Sequence, residues 1–199
     1  MTTARGAPSV GLGGAGKQPQ PLRWGLILDE ASLYQHALWY IGRYAASTMA
    51  VRHVLRRRVG KYALSDGVNP DTALDWIEVI IDRLTRAGLV NDVDFGLAWA
   101  RTLFARGLSI RMIRIRLAEK GLAREVVELV LERQLAEVED ADFEAAKRYV
   151  RRRRLGAQST LQSGDGARRR ALSALARAGF SYDVATRALD CPDKPEDTN

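Results

Sequence analysis

From Asp29 onward apolar residues recur three and four positions apart, as in Leu74, Ile77, Ile81 and Leu84, the spacing that lines one buried face of a helix. β-Branched runs bounded by tight turns are absent, so the pattern predicts helices and no sheet. The polar residues between the apolar stripes agree. Asn69-Pro70-Asp71 supplies an N-cap, a proline at the first helical position and a first-turn acid, and Gly88 stands where that helix should stop. Ser47, Asp92, Ser109, Asp140 and Ser181 are further N-caps, and Gly107, Gly121 and Gly179 further stops, which makes about eight or nine helices. Residues 1–23 are rich in Gly, Pro, Ser and Gln and carry too little apolar surface to offset the entropy of ordering.

The helical text repeats itself. Leu84 to Leu89, Leu117 to Leu122 and Leu175 to Phe180 all read L-x-x-x-G-[LF], a helix end in which the leucine and the residue after the glycine can touch across the turn. Asp92-Val93-Asp94-Phe95 is echoed by Asp140-Ala141-Asp142-Phe143, a period of roughly 48 residues, as in helical arrays. A unit of this length holds three helices and is too small to bury a good core alone, so neighbours should stack. The expected fold is all-α, with tandem three-helix, helix-turn-helix-like repeats in an elongated array. The units are placed at 29–90, 91–137 and 138–190, between a disordered tail at 1–28 and a flexible C-terminus at 191–199.

Charge changes the picture next. The 199 residues hold 31 Lys and Arg against 24 Asp and Glu, a formal net charge of +7, which favours acidic partners, nucleic acid first. No stretch is apolar enough to span a bilayer and no secretory h-region opens the chain, so a cytoplasmic location with no membrane contact is expected. A single cysteine, Cys191, can neither close an internal disulfide nor build a Cys-rich zinc site. His36 and His53 lack companions for a metal site, and no Ser, His and Asp group suggests a nucleophile. We expect no cofactor and no enzyme activity. The glycines from Gly11 to Lys17 imitate a phosphate loop, but Gln18-Pro19-Gln20-Pro21 follows them and cannot open a regular helix.

The basic residues fall in three clusters. The first is Arg52, Arg56, Arg57, Arg58 and Lys61; the second Arg101, Arg106, Arg111, Arg114, Arg116 and Lys120; the third Lys147, Arg148, Arg151, Arg152, Arg153 and Arg154 with Arg168, Arg169 and Arg170. Aligned on one side of an array they would follow a phosphate backbone or an acidic protein groove. Solvated helix faces and C-termini also carry arginine, which meets the negative end of the helix dipole. Arg151 to Arg154 encircle their axis rather than line one face. Trp76, Phe95, Trp99 and Phe143 lie at core spacing and read as packing residues, while Trp24, Trp39 and Tyr40 would anchor the first unit.

Ser47 with Val54-Leu55-Arg56-Arg57-Arg58, the run from Ile80 to Asp92 with Phe95, Arg106-Gly107, Ile113, Leu117, Lys120-Gly121-Leu122, and then Asp140, Phe143, Ala146, Leu175 and Gly179 resemble the RecX family of recombination regulators. The segment from Gly88 to Phe95 is the most specific part, and the likeness runs from about Leu33 to Leu189. It implies a curved array of these repeats, without catalytic residues, that binds in the groove of the RecA filament on DNA and restrains strand exchange, ATP hydrolysis and co-protease activity; a monomer is expected. Two departures bear on the first and third units: an extended loop from Lys61 to Pro70, and a Ser/Gly/Gln insertion from Leu155 to Gly166. The competing reading is a stand-alone basic helical protein that binds DNA directly.

Overall fold

The computed structural model describes residues 28–63, 65–136, 138–155 and 165–191. The tail up to residue 27, with the Gly11 to Lys17 segment and Trp24, lies outside the described residues, as do 156–164 and 192–199. Among the described residues there are nine helices and no strand: α1 (Glu30–Ile41), α2 (Thr48–Tyr62), α3 (Pro70–Arg86), α4 (Asp92–Ala105), α5 (Ile110–Glu119), α6 (Arg124–Leu135), α7 (Ala141–Arg153), α8 (Asp165–Arg177) and α9 (Tyr182–Asp190). None of them is long and apolar enough to cross a membrane.

The helices associate in threes. α1, α2 and α3 pack on one another, α4, α5 and α6 do the same, and α7 and α8 both pack on α9. The first trio buries its own core, built on Leu33, Val51, Leu55, Ile77, Ile80 and Leu84. The second and third share a single core, in which Phe104, Ile113, Leu117 and Val130 join Val150, Leu175 and Phe180. Stacking into a common core therefore holds for the last two trios and not for the first. The long α2 and α3 give that first trio enough apolar face to close on itself. Its closure includes Leu28, which the composition assigns to the tail: the residue is buried, and its N–H donates to the Asp66 carboxylate at 2.7 Å.

Capping follows the sequence reading closely. Ser47, Ser109 and Ser181 accept the N–H groups of Ala50, Met112 and Val184, and Asn69 accepts that of Asp71. Asn91, not Asp92, caps α4; Asp92 is the first helical residue and is used elsewhere. Asp140 precedes α7 with φ 46°, and its side chain accepts no N–H of the helix; the carboxylate instead takes the Arg187 guanidinium at 2.8 Å. Gly88, Gly121 and Gly179 close their helices with one bond pattern, the following residue's N–H reaching the leucine carbonyl. Gly107 with Leu103 makes a fourth such end.

Three details depart from expectation. Gly88 ends the third helix of its trio, whereas Gly121 and Gly179 end second helices, so the three leucine–glycine ends are not equivalent by position. Leu74 and Leu89 are exposed, and Ala73 takes the inward place on α3. The two departures are also shorter than their sequences suggest. Lys61 belongs to the last turn of α2, and Gly166 lies within α8.

Candidate functional site

The trios are joined by one polar device used twice. The Ser47 hydroxyl, while capping α2, donates to the Lys120 carbonyl at 2.8 Å. One residue on, the Thr48 N–H and hydroxyl donate to the Asp92 carboxylate at 2.8 and 2.7 Å. At the second joint the Ser109 hydroxyl donates to the Ala178 carbonyl at 2.9 Å, and the Ile110 N–H donates to Asp142 at 2.8 Å. Each joint thus links the N-terminus of a second helix to the next trio's second-helix end and first-helix acid.

Lys120 and Ala178 immediately precede Gly121 and Gly179, both at positive φ. A side chain at Gly121 would fall on Met49, and one at Gly179 on the Ser109 hydroxyl, so glycine serves the helix end and the joint together. The acids that match by role are Asp92 and Asp142. The sequence echo paired Asp92 with Asp140, two residues out of register.

A second repeated feature braces each trio internally. The Arg52 guanidinium holds Glu78 through two bonds of 2.8 Å, Arg114 holds Glu128 at 2.8 and 3.1 Å, and Arg168 holds Asp190 at 2.6 and 3.0 Å. In all three a second-helix arginine engages a third-helix carboxylate in fork geometry. These bonds hold Glu78, Glu128 and Asp190 below the usual carboxylate range. Of the candidate contact residues, Arg114 and Arg168 thus have their forks occupied within the chain.

Aromatic rings take several of the others. Arg58 and Lys61 lie over Tyr62, Lys120 over Trp99 at 5.1 Å, Lys147 over Phe143, Arg148 over Phe104 at 4.5 Å and Arg153 over Tyr149. Lys147 also pairs with Glu144 at 2.6 Å, and Arg56 approaches Glu78 at 4.0 Å. Arg57, Arg101, Arg111, Arg154 and Arg169 are exposed, with no side-chain partner among the described residues. Arg151 and Arg170 are exposed as well.

The second and third clusters meet. Gly107 follows Arg106 at the end of α4 and lies against the α7 backbone at Ala145 and Tyr149, and the Arg152 guanidinium donates to the Arg106 carbonyl at 3.4 Å. On the α4–α5 side, Arg106, Arg116 and Lys120 rim an open hollow of about 410 Å³ floored by Trp99, Leu103 and Leu108. From the first cluster, Arg52 lies near Asp92 at the first joint. Neither joints nor hollow were visible as such in the sequence, where Ser47, Ser109 and Asp92 read as local caps. The recurrence of an arginine five residues after Ser47 and after Ser109 was the available signal. Trp76, Phe95, Trp99 and Phe143 pack against the cores as expected. Tyr40 does so as well, while Trp39 is exposed and stacks on His36.

His36 should make stability pH-dependent. Burial, and then the charge of Arg58, push its pKa below 6.5. The unfolded chain therefore takes up the proton first, and the stability contributed by neutral His36 is complete above 6.5 and lost as pH falls toward the lower folded value. Denaturant midpoints should fall between pH 7.5 and 5.5, and His36→Gln should flatten that dependence. An unchanged slope in the variant contradicts this assignment.

Residues 91–131 match the family model for the second three-helix domain of RecX. The regulatory protein RecX of Myxococcus xanthus is 36% identical over 192 residues, covering 96% of this chain and 98% of that one. That of Corynebacterium efficiens is 34% identical over 125 residues, 58% of each chain. The crystal structure of RecX from Lactobacillus salivarius superposes with a TM-score of 0.59 at 21% identity, covering 80% of this chain and 93% of that one, and so speaks for the fold. With identity to the Myxococcus protein sustained over nearly its whole length, the chain belongs to the RecX family of regulatory proteins.

Proposed function

We propose that this chain is a cytoplasmic, monomeric, non-catalytic regulator that binds the RecA filament on DNA and restrains strand exchange, ATP hydrolysis and co-protease activity. Its working units are taken as 29–90, 91–137 and 138–190. The observation that carries the reading is the repeated polar joint, which links the three helical units, with the second and third basic clusters meeting at Arg106 and Arg152. A rigid series of such units can engage a repeating polymer at more than one point, and each engaged unit raises the effective concentration of the next. Arginine suits both carboxylate and phosphate, so the filament's protein is the partner and its DNA is engaged directly or through that protein.

The test uses purified protein added to RecA, single-stranded DNA and ATP at stoichiometric amounts. Shorter filaments and slower strand exchange are expected; unchanged filament length and exchange refute the reading. Tight duplex binding without RecA, with log affinity falling by about 0.9 per neutralised phosphate against log salt, would instead make the protein a stand-alone DNA binder.

A further inference from the structure

We propose that the hollow between α4 and α5 is a docking site for an acidic segment of a partner protein, one that places a carboxylate beside an aliphatic side chain. The proposal names the partner chemistry of the surface described above and rests on that reading of function. The hollow has two chemistries. Trp99, Leu103 and Leu108 make an apolar floor, and Arg106, Arg116 and Lys120 make a cationic rim. A volume of about 410 Å³ is near the small end of ligand-binding clefts, sized for one or two side chains rather than a length of polymer.

Three features favour protein over nucleic acid. The Trp99 ring already carries Lys120 on its face at 5.1 Å, and the indole nitrogen is buried, so the ring offers no platform for a base. Glu119 lies in the lining, held by Arg116 at 2.7 Å, and a carboxylate there repels a continuous run of phosphates while tolerating one well-placed anion. The leucines reward an aliphatic neighbour that a sugar-phosphate backbone does not possess. Arg106 and Lys120, with no carboxylate bonded to their side chains among the described residues, are left to receive the incoming anion.

The experiment titrates the full chain with the acetylated, amidated peptide Asp-Leu-Glu-Leu-Asp, its amide analogue Asn-Leu-Gln-Leu-Asn, and a thymidine oligonucleotide of equal charge. Binding is read from the Trp99 indole resonance, assigned with Trp99→Phe. The acidic peptide should shift that resonance saturably, with a Kd on the order of 0.1–1 mM, the range of a small contact. The amide analogue and the oligonucleotide should leave it in place. Arg106→Gln with Lys120→Gln should weaken the peptide at least tenfold, and Arg86→Ala, on α3 and outside the lining of the hollow, should not.

No shift with the acidic peptide, an equal shift with the amide analogue, or displacement of the peptide by the oligonucleotide each overturns the proposal. The functional reading fails separately. A doubly substituted protein that loses the peptide yet restrains RecA filaments as before removes the hollow from the mechanism and leaves filament regulation standing. A protein that binds the peptide without affecting RecA does the reverse.

Discussion

Replacing Gly107 with alanine should destabilise the protein by about 3 kcal/mol or more, through two independent penalties. The residue sits at φ 75°, where a side chain adds roughly 1–2 kcal/mol of strain. Its Cβ would also come within 2.6 Å of the Tyr149 backbone nitrogen and 2.9 Å of the Ala145 carbonyl oxygen. Backbone cannot rotate aside as a side chain can, so the end of α4 must separate from α7 and open the core that the last two trios share. Gly88→Ala is the matched comparison, with φ 68° and no atom within 4 Å of the added group, and only the strain should register. At roughly 2–4 °C per kcal/mol for a chain of this size, thermal melts should separate the two variants by several degrees. Equal losses would show that the approach of α4 to α7 is not what requires glycine.

The second large effect is expected at the joint between the first and second trios. No helix of the first trio packs extensively on one of the second, and their cores are separate. The relation between them therefore depends on Ser47, Thr48, Asp92 and the seat of Met49 on Gly121. Asp92→Ala removes the acceptor of two charge-assisted bonds, each worth on the order of 1.5–3 kcal/mol when its donor is left unpaired. The prediction is mechanical as well as energetic. Calorimetry should resolve a separate transition for the first trio, and small-angle scattering should show a broader distribution of distances. Asp142→Ala breaks the corresponding bond at the second joint, but the common core there should keep the last two trios melting together. A single unshifted transition in Asp92→Ala would mean that something other than the polar joint couples the first trio.

The comparison of these joints shows what a sequence can and cannot disclose. Periodicity and capping chemistry are local properties, and they placed the helices, the serine caps and the glycine stops. Asp92 shows the limit. An aspartate at the start of a helix reads as its cap, yet here Asn91 caps α4 and Asp92 accepts from Thr48, 44 positions away. The same residue types perform both tasks, so nothing in the local pattern tells them apart.

Leu74 and Leu89 are exposed for a related reason: spacing identifies a stripe, while the neighbours decide which edge of it is covered. The candidate surface was legible as three basic clusters. What those clusters hid was the commitment of Arg52, Arg114 and Arg168 to carboxylates within their own trios, and the convergence of Arg106, Arg116 and Lys120 around an apolar floor.

In the proposed function, the linked helical units bring the second and third basic clusters together, at Arg106 and Arg152, as one surface for the RecA filament. The most direct test measures ATP hydrolysis by RecA on single-stranded DNA with stoichiometric wild-type protein and with Arg106→Glu combined with Arg152→Glu. Hydrolysis should be suppressed by the wild type and restored toward the RecA-only rate by the doubly reversed variant, with both proteins melting at similar temperatures. Hydrolysis unchanged by the wild-type protein, or suppressed equally by both, would contradict the proposed function.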